Sequence, residues 1–93
     1  MEDKFVAAWL AARQSAGEKG VRLRPVSAAE AMQQAHRQLS GSRCSDGFDA
    51  LASKGLLKLS LEALVVDRRF TALFSDEEAN NALTRLLEAG YYL

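Results

Sequence analysis

The sequence has very few of the residues that build disulfide frameworks, metal sites and rigid loops. Its 93 residues include one cysteine, one histidine and one proline. A single cysteine forms no disulfide within the chain, and this favours a reducing compartment such as the cytoplasm. One histidine and one cysteine also do not make a zinc site of any established finger spacing. We therefore expect neither a metal nor a cofactor.

Long apolar runs and a net charge are missing as well. No stretch approaches the roughly 20 apolar residues that span a bilayer, and the first residues are acidic, unlike those of a signal peptide. We expect no membrane partner. The 12 Lys+Arg and 12 Asp+Glu cancel, so the whole chain has no overall attraction to nucleic acid. A hydrophobic share of 48% is typical of a folded domain, and the length suits one core, so we predict a single domain over 1–93.

The charges are nevertheless distributed unevenly. The segment 46–93 carries eight acids and five bases, while the segment 21–45 has Glu30 as its only acid. The bases of the second segment are Arg22, Arg24, Arg37 and Arg43. Two interpretations stay open: a solvated surface, or a local site that attracts an anionic partner.

Apolar spacing and capping residues predict a mainly α domain of four or five helices. Phe5, Val6, Trp9 and Leu10 form one stripe of a helix over 2–17, with Trp9 as a core anchor. Alternation predicts an extended segment at 21–25. The other predicted helices are 27–39, begun by a Ser27–Glu30 capping box, and a short one at 46–54.

A second capping box, Ser75 to Glu78, begins the last predicted helix, and Gly90 ends it. Its regular apolar stripe consists of Ala79, Ala82, Leu83, Leu86 and Leu87.

The segment 57–74 has two interpretations. Leu57, Leu59 and Leu61 alternate with polar residues, as in a strand, and this favours a short β-hairpin. Ser60 is also a good N-cap, and this favours a helix. Both alternatives stay open at this point.

Groups that carry enzyme chemistry are scarce. Cys44 precedes a helix start and follows an arginine, and both features lower a thiol pKa, so a thiol nucleophile with His36 as its base is one hypothesis. An ordinary structural cysteine is the alternative. The sequence has no glycine-rich phosphate loop and no recognisable carboxylate pair. We therefore predict a non-enzymatic protein without catalytic residues and without a small-molecule substrate.

One half of the chain resembles a known DNA-binding family. Its helix pair is followed, in order, by the motifs Leu51-x-x-x-Gly55-Leu56, Asp67-Arg68-Arg69 and Phe74-Ser75. With Ser27-x-x-Glu30 ahead of them, these motifs make residues 27–75 similar to the winged helix-turn-helix of bacterial regulators of the multiple-antibiotic-resistance type.

The resemblance implies a winged-helix-like fold, with the wing in 57–74, and double-stranded DNA as the partner. It implies that Arg68 and Arg69 flank the minor groove. The residues that it places on phosphates or bases are Arg37, Arg43, Ser45 and Lys54.

A protein partner is our first prediction. The second half of the chain is rich in large apolar residues, and tyrosine is enriched at interfaces. We predict a small regulatory or adaptor protein that binds a protein partner or forms a homodimer, with DNA binding as the alternative. The predicted interface residues are Phe70, Phe74, Tyr91 and Tyr92. That these residues close the core instead remains an open interpretation.

Overall fold

A computed structural model describes residues 2–41 and 44–91, and these residues form helices joined by short connections. The α-helices are α1 (Glu2–Glu18), α2 (Ala31–Ser40), α3 (Phe48–Ser53), α4 (Leu61–Val65) and α5 (Asp76–Glu88). Short 3-10 helices lie at Ala28–Glu30, Leu57–Leu59 and Thr71–Leu73. The mainly α prediction is thus confirmed. None of the helices in the described ranges is both long and apolar enough to cross a membrane.

The segment 57–74 is described throughout, and it contains helices and turns but no strand. Ser60 is the N-cap of α4, where its Oγ accepts a hydrogen bond of 3.1 Å from the Ala63 N–H. This capping favours a helix over the strand that the alternating leucines indicate. The segment is therefore helical, and the hairpin is not found.

A first core joins α1, α2, α4 and α5 around aromatic rings. Phe5 is fully buried, and its ring meets Phe70 and Phe74 edge-on at centroid distances of 5.4 and 5.1 Å. Trp9 is 2% exposed, which confirms it as a core anchor. Small residues of α2 allow close packing here, and the remaining buried members are Ala31, Ala35, Leu39, Leu61, Val65 and Ala82.

A second core forms at the other end of α1 and α5. It holds α3, which has only six residues and therefore depends on packing rather than on its own helical propensity. The buried members of this core are Ala16, Val21, Phe48, Leu51, Leu57 and Leu86.

The two predicted capping boxes have different outcomes. At α5, the Ser75 N–H donates to Glu78 Oε1 at 2.9 Å and the Glu78 N–H donates to Ser75 Oγ at 3.1 Å, as predicted. At Ser27 the prediction is wrong, because the Ser27 side chain makes no cap bond. Its backbone carbonyl accepts the Glu30 N–H at 3.1 Å instead, in a 3-10 turn that delays α2 to Ala31.

Residues 21–27, between α1 and the 3-10 helix that precedes α2, form neither helix nor strand, and this segment is hydrogen-bonded to the turn before α3. The Arg24 N–H donates to Asp46 Oδ2 at 2.8 Å, and the Arg24 carbonyl accepts a hydrogen bond from the Arg13 guanidinium. Gly47, with φ of +77°, lies so close to Leu23 that an added Cβ would stand 2.2 Å from Leu23 Cδ2. The turn therefore favours glycine for its left-handed backbone, and an added Cβ would also displace the end of the Leu23 side chain.

We expect Gly47→Ala to lower the free energy of unfolding by about 1–3 kcal/mol, from a left-handed alanine and the displaced Leu23. Urea unfolding followed by circular dichroism measures the loss. Gly17→Ala is the matched control, because Gly17 lies within α1 with no atom near its missing Cβ. This control should keep or raise stability. Equal stabilities for Gly47→Ala and the unmodified protein would contradict this account of the turn.

Candidate functional site

A buried polar network lies between α4, α5 and the segment before α3. Glu62 is 0% exposed, and its two carboxylate oxygens accept hydrogen bonds from Ser45, at 2.9 Å from the backbone N–H and at 2.5 Å from Oγ. Arg85 Nη1 donates to Glu62 Oε2 at 3.0 Å. Every buried side-chain nitrogen and oxygen in the described part of the chain has a partner. The network is therefore satisfied by the protein's own groups.

Arg85 also binds the end of α2. Its Nη1 donates to the Gln38 carbonyl at 3.1 Å, and its Nη2 donates to the Leu39 and Gly41 carbonyls at 3.4 and 2.7 Å. Asn81 Nδ2 donates a further bond of 3.0 Å to the Leu39 carbonyl. A cation at a helix C-terminus stabilises the unpaired carbonyls there. Arg85 of α5 thus links α4, the end of α2 and the turn that follows α2. This arrangement suits a structural role.

A second polar contact joins α2 to the start of α5. His36 Nδ1 and Glu78 Oε2 are 2.7 Å apart, and the His36 ring lies 5.1 Å from that of Phe74. Burial by itself raises the pKa of Glu78. The hydrogen bond from the Ser75 N–H and the hydrogen bond and charge of His36 outweigh burial, so the pKa of Glu78 lies below its ordinary value of 4.5.

This lowered pKa predicts a pH dependence of folding. A carboxyl whose pKa is lower in the folded state stabilises the fold above its unfolded pKa, and that contribution is lost as the pH falls through the folded pKa. We expect the unmodified protein to be more stable than Glu78→Gln at pH 7, with the difference shrinking below about pH 4.5. Glutamine keeps one oxygen for the capping hydrogen bond, so the comparison removes the charge together with the oxygen that pairs with His36. Urea unfolding of both proteins at pH 7 and pH 3 measures the difference in their free energies of unfolding. The same difference at both pH values would contradict the inferred role of the Glu78 carboxylate.

The surroundings of Cys44 do not suit a thiol nucleophile. Burial raises the pKa of the Cys44 thiol, and the nearby Glu62 carboxylate raises it further. Both effects oppose the lowered pKa expected from the sequence. His36, the hypothetical base, is hydrogen-bonded to Glu78.

The residues predicted to contact DNA differ in their exposure and in the contacts that they make within the protein. Arg37, Lys54 and Arg68 are exposed. Ser45 is 6% exposed and bound to Glu62, so it is not presented to a partner. Arg43 lies outside the described residues.

Arg69 is exposed but already engaged. Its Nη2 lies 3.1 Å from Asp67 Oδ2, and its guanidinium carbon lies 4.8 Å from the centroid of the Phe70 ring. The two helices of the proposed pair, α2 and α3, bury their apolar residues in different cores.

Two of the four residues predicted to form a protein interface are buried inside the molecule. Phe70 is 2% exposed and Phe74 is 8% exposed, so these rings close the core and offer almost no surface to a partner. Tyr91 is half-buried and packs against the second core. Tyr92 lies outside the described residues.

Among the residues that the structure describes, the large apolar side chains that are exposed lie elsewhere, on α5. Leu83 is 39% exposed and Leu87 is 57% exposed. Both belong to the regular apolar stripe of this helix in the sequence, yet both are exposed. At 100° per residue they lie at the edge of that stripe, about 100° and 140° from Ala82, and this offset is the signal that could have separated them from the core positions.

Comparisons with known proteins give no family for this chain. No protein-family model, curated protein or solved structure matches it. Within 2–41 and 44–91, no group of three or more His, Cys, Asp or Glu side chains is placed to hold a metal ion.

Proposed function

We propose that this chain is a non-enzymatic regulatory or adaptor protein that binds another protein, or a second copy of itself, through the outer side of α5. The observation that carries the proposal is the exposure of Leu83 and Leu87, 39% and 57%. Four residues apart, they stand one turn from each other on the same side of the helix.

The side chains around these leucines have the composition of an interface rim. Asn80, Thr84 and Glu88 are exposed polar residues of the same helix. An apolar centre within a polar rim is the usual anatomy of a protein–protein contact. Full burial of a leucine is worth about 1.5–3 kcal/mol, and these two are already partly covered, so they supply only part of a stable contact.

A photo-crosslinking experiment tests this proposal. A photoreactive amino acid replaces Thr84, which is exposed beside both leucines, and irradiation is carried out in a lysate of the source cells. We expect one dominant protein adduct, and its loss when Leu83→Ser and Leu87→Ser are added. The control pair, Ala29→Ser and Ala72→Ser, changes exposed residues away from α5 and should leave the adduct unchanged.

An adduct that survives the double leucine substitution, or no protein adduct at all, would contradict the proposal. Sedimentation velocity of the purified protein over a range of concentrations then separates a second copy from a different partner. The homodimer shows concentration-dependent sedimentation, and Leu83→Ser with Leu87→Ser abolishes it.

DNA binding remains the second candidate, favoured by the exposed cations Arg37, Lys54 and Arg68. Asp49 in the first turn of α3 would oppose it, because an acid there repels phosphate. A DNA-binding protein is retained on heparin, and its affinity for duplex DNA falls steeply with salt. Neither behaviour is expected here, and both together would favour DNA over a protein partner.

A further inference from the structure

The exposed surface of α5 carries charge of one sign. Asp76, Glu77 and Glu88 are exposed acids of this helix. Its single base, Arg85, is 8% exposed and donates to Glu62, so that charge is balanced inside the protein. Within the residues that the structure describes, none of the three exposed acids forms an ion pair. The surface of α5 therefore presents three carboxylates and no base to a partner.

These acids lie around the exposed leucines. Asp76 precedes Leu83 by seven residues and Leu87 by eleven, which are close to two and three full turns, so the three side chains follow one line along α5. Glu77 and Glu88 are also eleven residues apart, and they border this line on one flank. A partner that covers the leucines must therefore come close to all three carboxylates.

The position of Glu88 is unfavourable within the protein itself. Glu88 is the last residue of α5, where the negative end of the helix dipole disfavours a carboxylate, whereas Asp76 and Glu77 suit the positive end in the first turn. Lys58 lines a cavity at this end of the helix together with Ala89, yet it forms no ion pair with Glu88. A cation supplied by a partner would relieve the unfavourable charge.

We propose that the partner of Leu83 and Leu87 is an amphipathic helix of another protein, whose apolar stripe is bordered by lysines or arginines. This inference rests on the proposed function, because it names the partner of the same surface. Asp76, Asn80, Leu83 and Leu87 are all exposed and follow each other at intervals of four, three and four residues. This is the spacing by which one helix packs along another.

The charges decide between such a helix and a second copy of this chain. Basic residues of the partner helix meet the three acids while its apolar stripe covers the leucines. Pairing of two α5 helices brings acids to acids without any exposed base on either helix, and like charges across an interface are unfavourable. The surface therefore favours a basic partner over a homodimer through α5.

The probe is a blocked, alanine-based helical peptide of sixteen residues, with three leucines on one side and lysines on both flanks. It is titrated into the 15N-labelled full-length chain at low salt. We expect amide shifts concentrated between Asn80 and Glu88, and their loss in Leu83→Ser/Leu87→Ser. The same peptide with glutamate in place of lysine, or with serine in place of leucine, should cause no such shifts.

Variants of the acids test the charges directly. Because exposed ion pairs are individually weak, Glu77→Gln/Glu88→Gln should reduce the affinity for the lysine peptide about fivefold. The matched control is Glu2→Gln/Glu18→Gln, which removes two exposed acids of α1 and should leave the affinity unchanged.

Four results would overturn the basic partner. Two of them are the absence of any shift at millimolar lysine peptide, and equal losses of affinity in the two double glutamine variants. The others are equal affinities for the glutamate and lysine peptides, and a homodimer that Leu83→Ser/Leu87→Ser abolishes. Each of these last two still leaves a protein contact through α5, so the proposed function survives it. Unchanged binding of the lysine peptide to Leu83→Ser/Leu87→Ser would contradict both.

Discussion

Replacing Arg85 with methionine is expected to lower the free energy of unfolding by about 3–5 kcal/mol, one of the largest single-residue effects in this chain. Arg85 is the cationic partner of Glu62, which has no exposed surface. Its removal leaves a buried carboxylate without its counter-charge and also leaves the carbonyls at the end of α2 without their donor. Both losses act on the same junction of three helices.

Urea unfolding by circular dichroism measures this effect at 10 °C, where a weakened fold is still populated. Arg68→Met is the matched control: Arg68 is exposed, and its substitution should stay within about 0.5 kcal/mol. In the double variant Glu62→Leu/Arg85→Met, much of the stability should return, because the unpaired charge is gone. If Arg85→Met lowers the free energy of unfolding no more than Arg68→Met does, the buried network does not hold the three helices together.

Replacing Phe5 with alanine is expected to cost about 3–5 kcal/mol as well. Phe5 is fully buried and its ring contacts those of Trp9, Phe70 and Phe74, so the substitution opens a cavity where α1 meets the rest of the first core. The lost edge-on contacts add to the lost burial.

Thermal and urea unfolding of Phe5→Ala and Phe5→Leu give a graded test. Leucine fills most of the volume and should lose less than half as much stability as alanine. Leu87→Ala is the surface control and should change stability little, because Leu87 is 57% exposed. A cost of under 1 kcal/mol for Phe5→Ala would show that the rings do not hold α1 in place.

Local signals predicted those parts of the fold that depend on neighbouring residues in the chain. The Ser75–Glu78 capping box is formed within four consecutive residues, and it begins α5 as predicted. Ser27 has the same motif but lacks the bond, because the 3-10 turn over Ala28–Glu30 satisfies the backbone in another way. A capping motif indicates a helix start, but the local turn decides which residue begins the helix.

Features that depend on distant parts of the chain were not visible in the sequence. Glu62 and Arg85 are 23 residues apart, and nothing in their local patterns distinguishes them from surface charges. The apolar richness of the second half of the chain predicts Phe70 and Phe74 to be interface residues. Their burial against Phe5 depends on how α1 packs, which periodicity does not determine.

The central claim, that the outer side of α5 binds a protein, has one most direct test. Methyl spectra of the selectively leucine-labelled chain are recorded in buffer and in a lysate of the source cells. We predict that the Leu83 and Leu87 methyl signals shift or broaden selectively, while those of the buried Leu39 and Leu51 change only with overall tumbling. Unchanged signals from Leu83 and Leu87 in that lysate would contradict the claim.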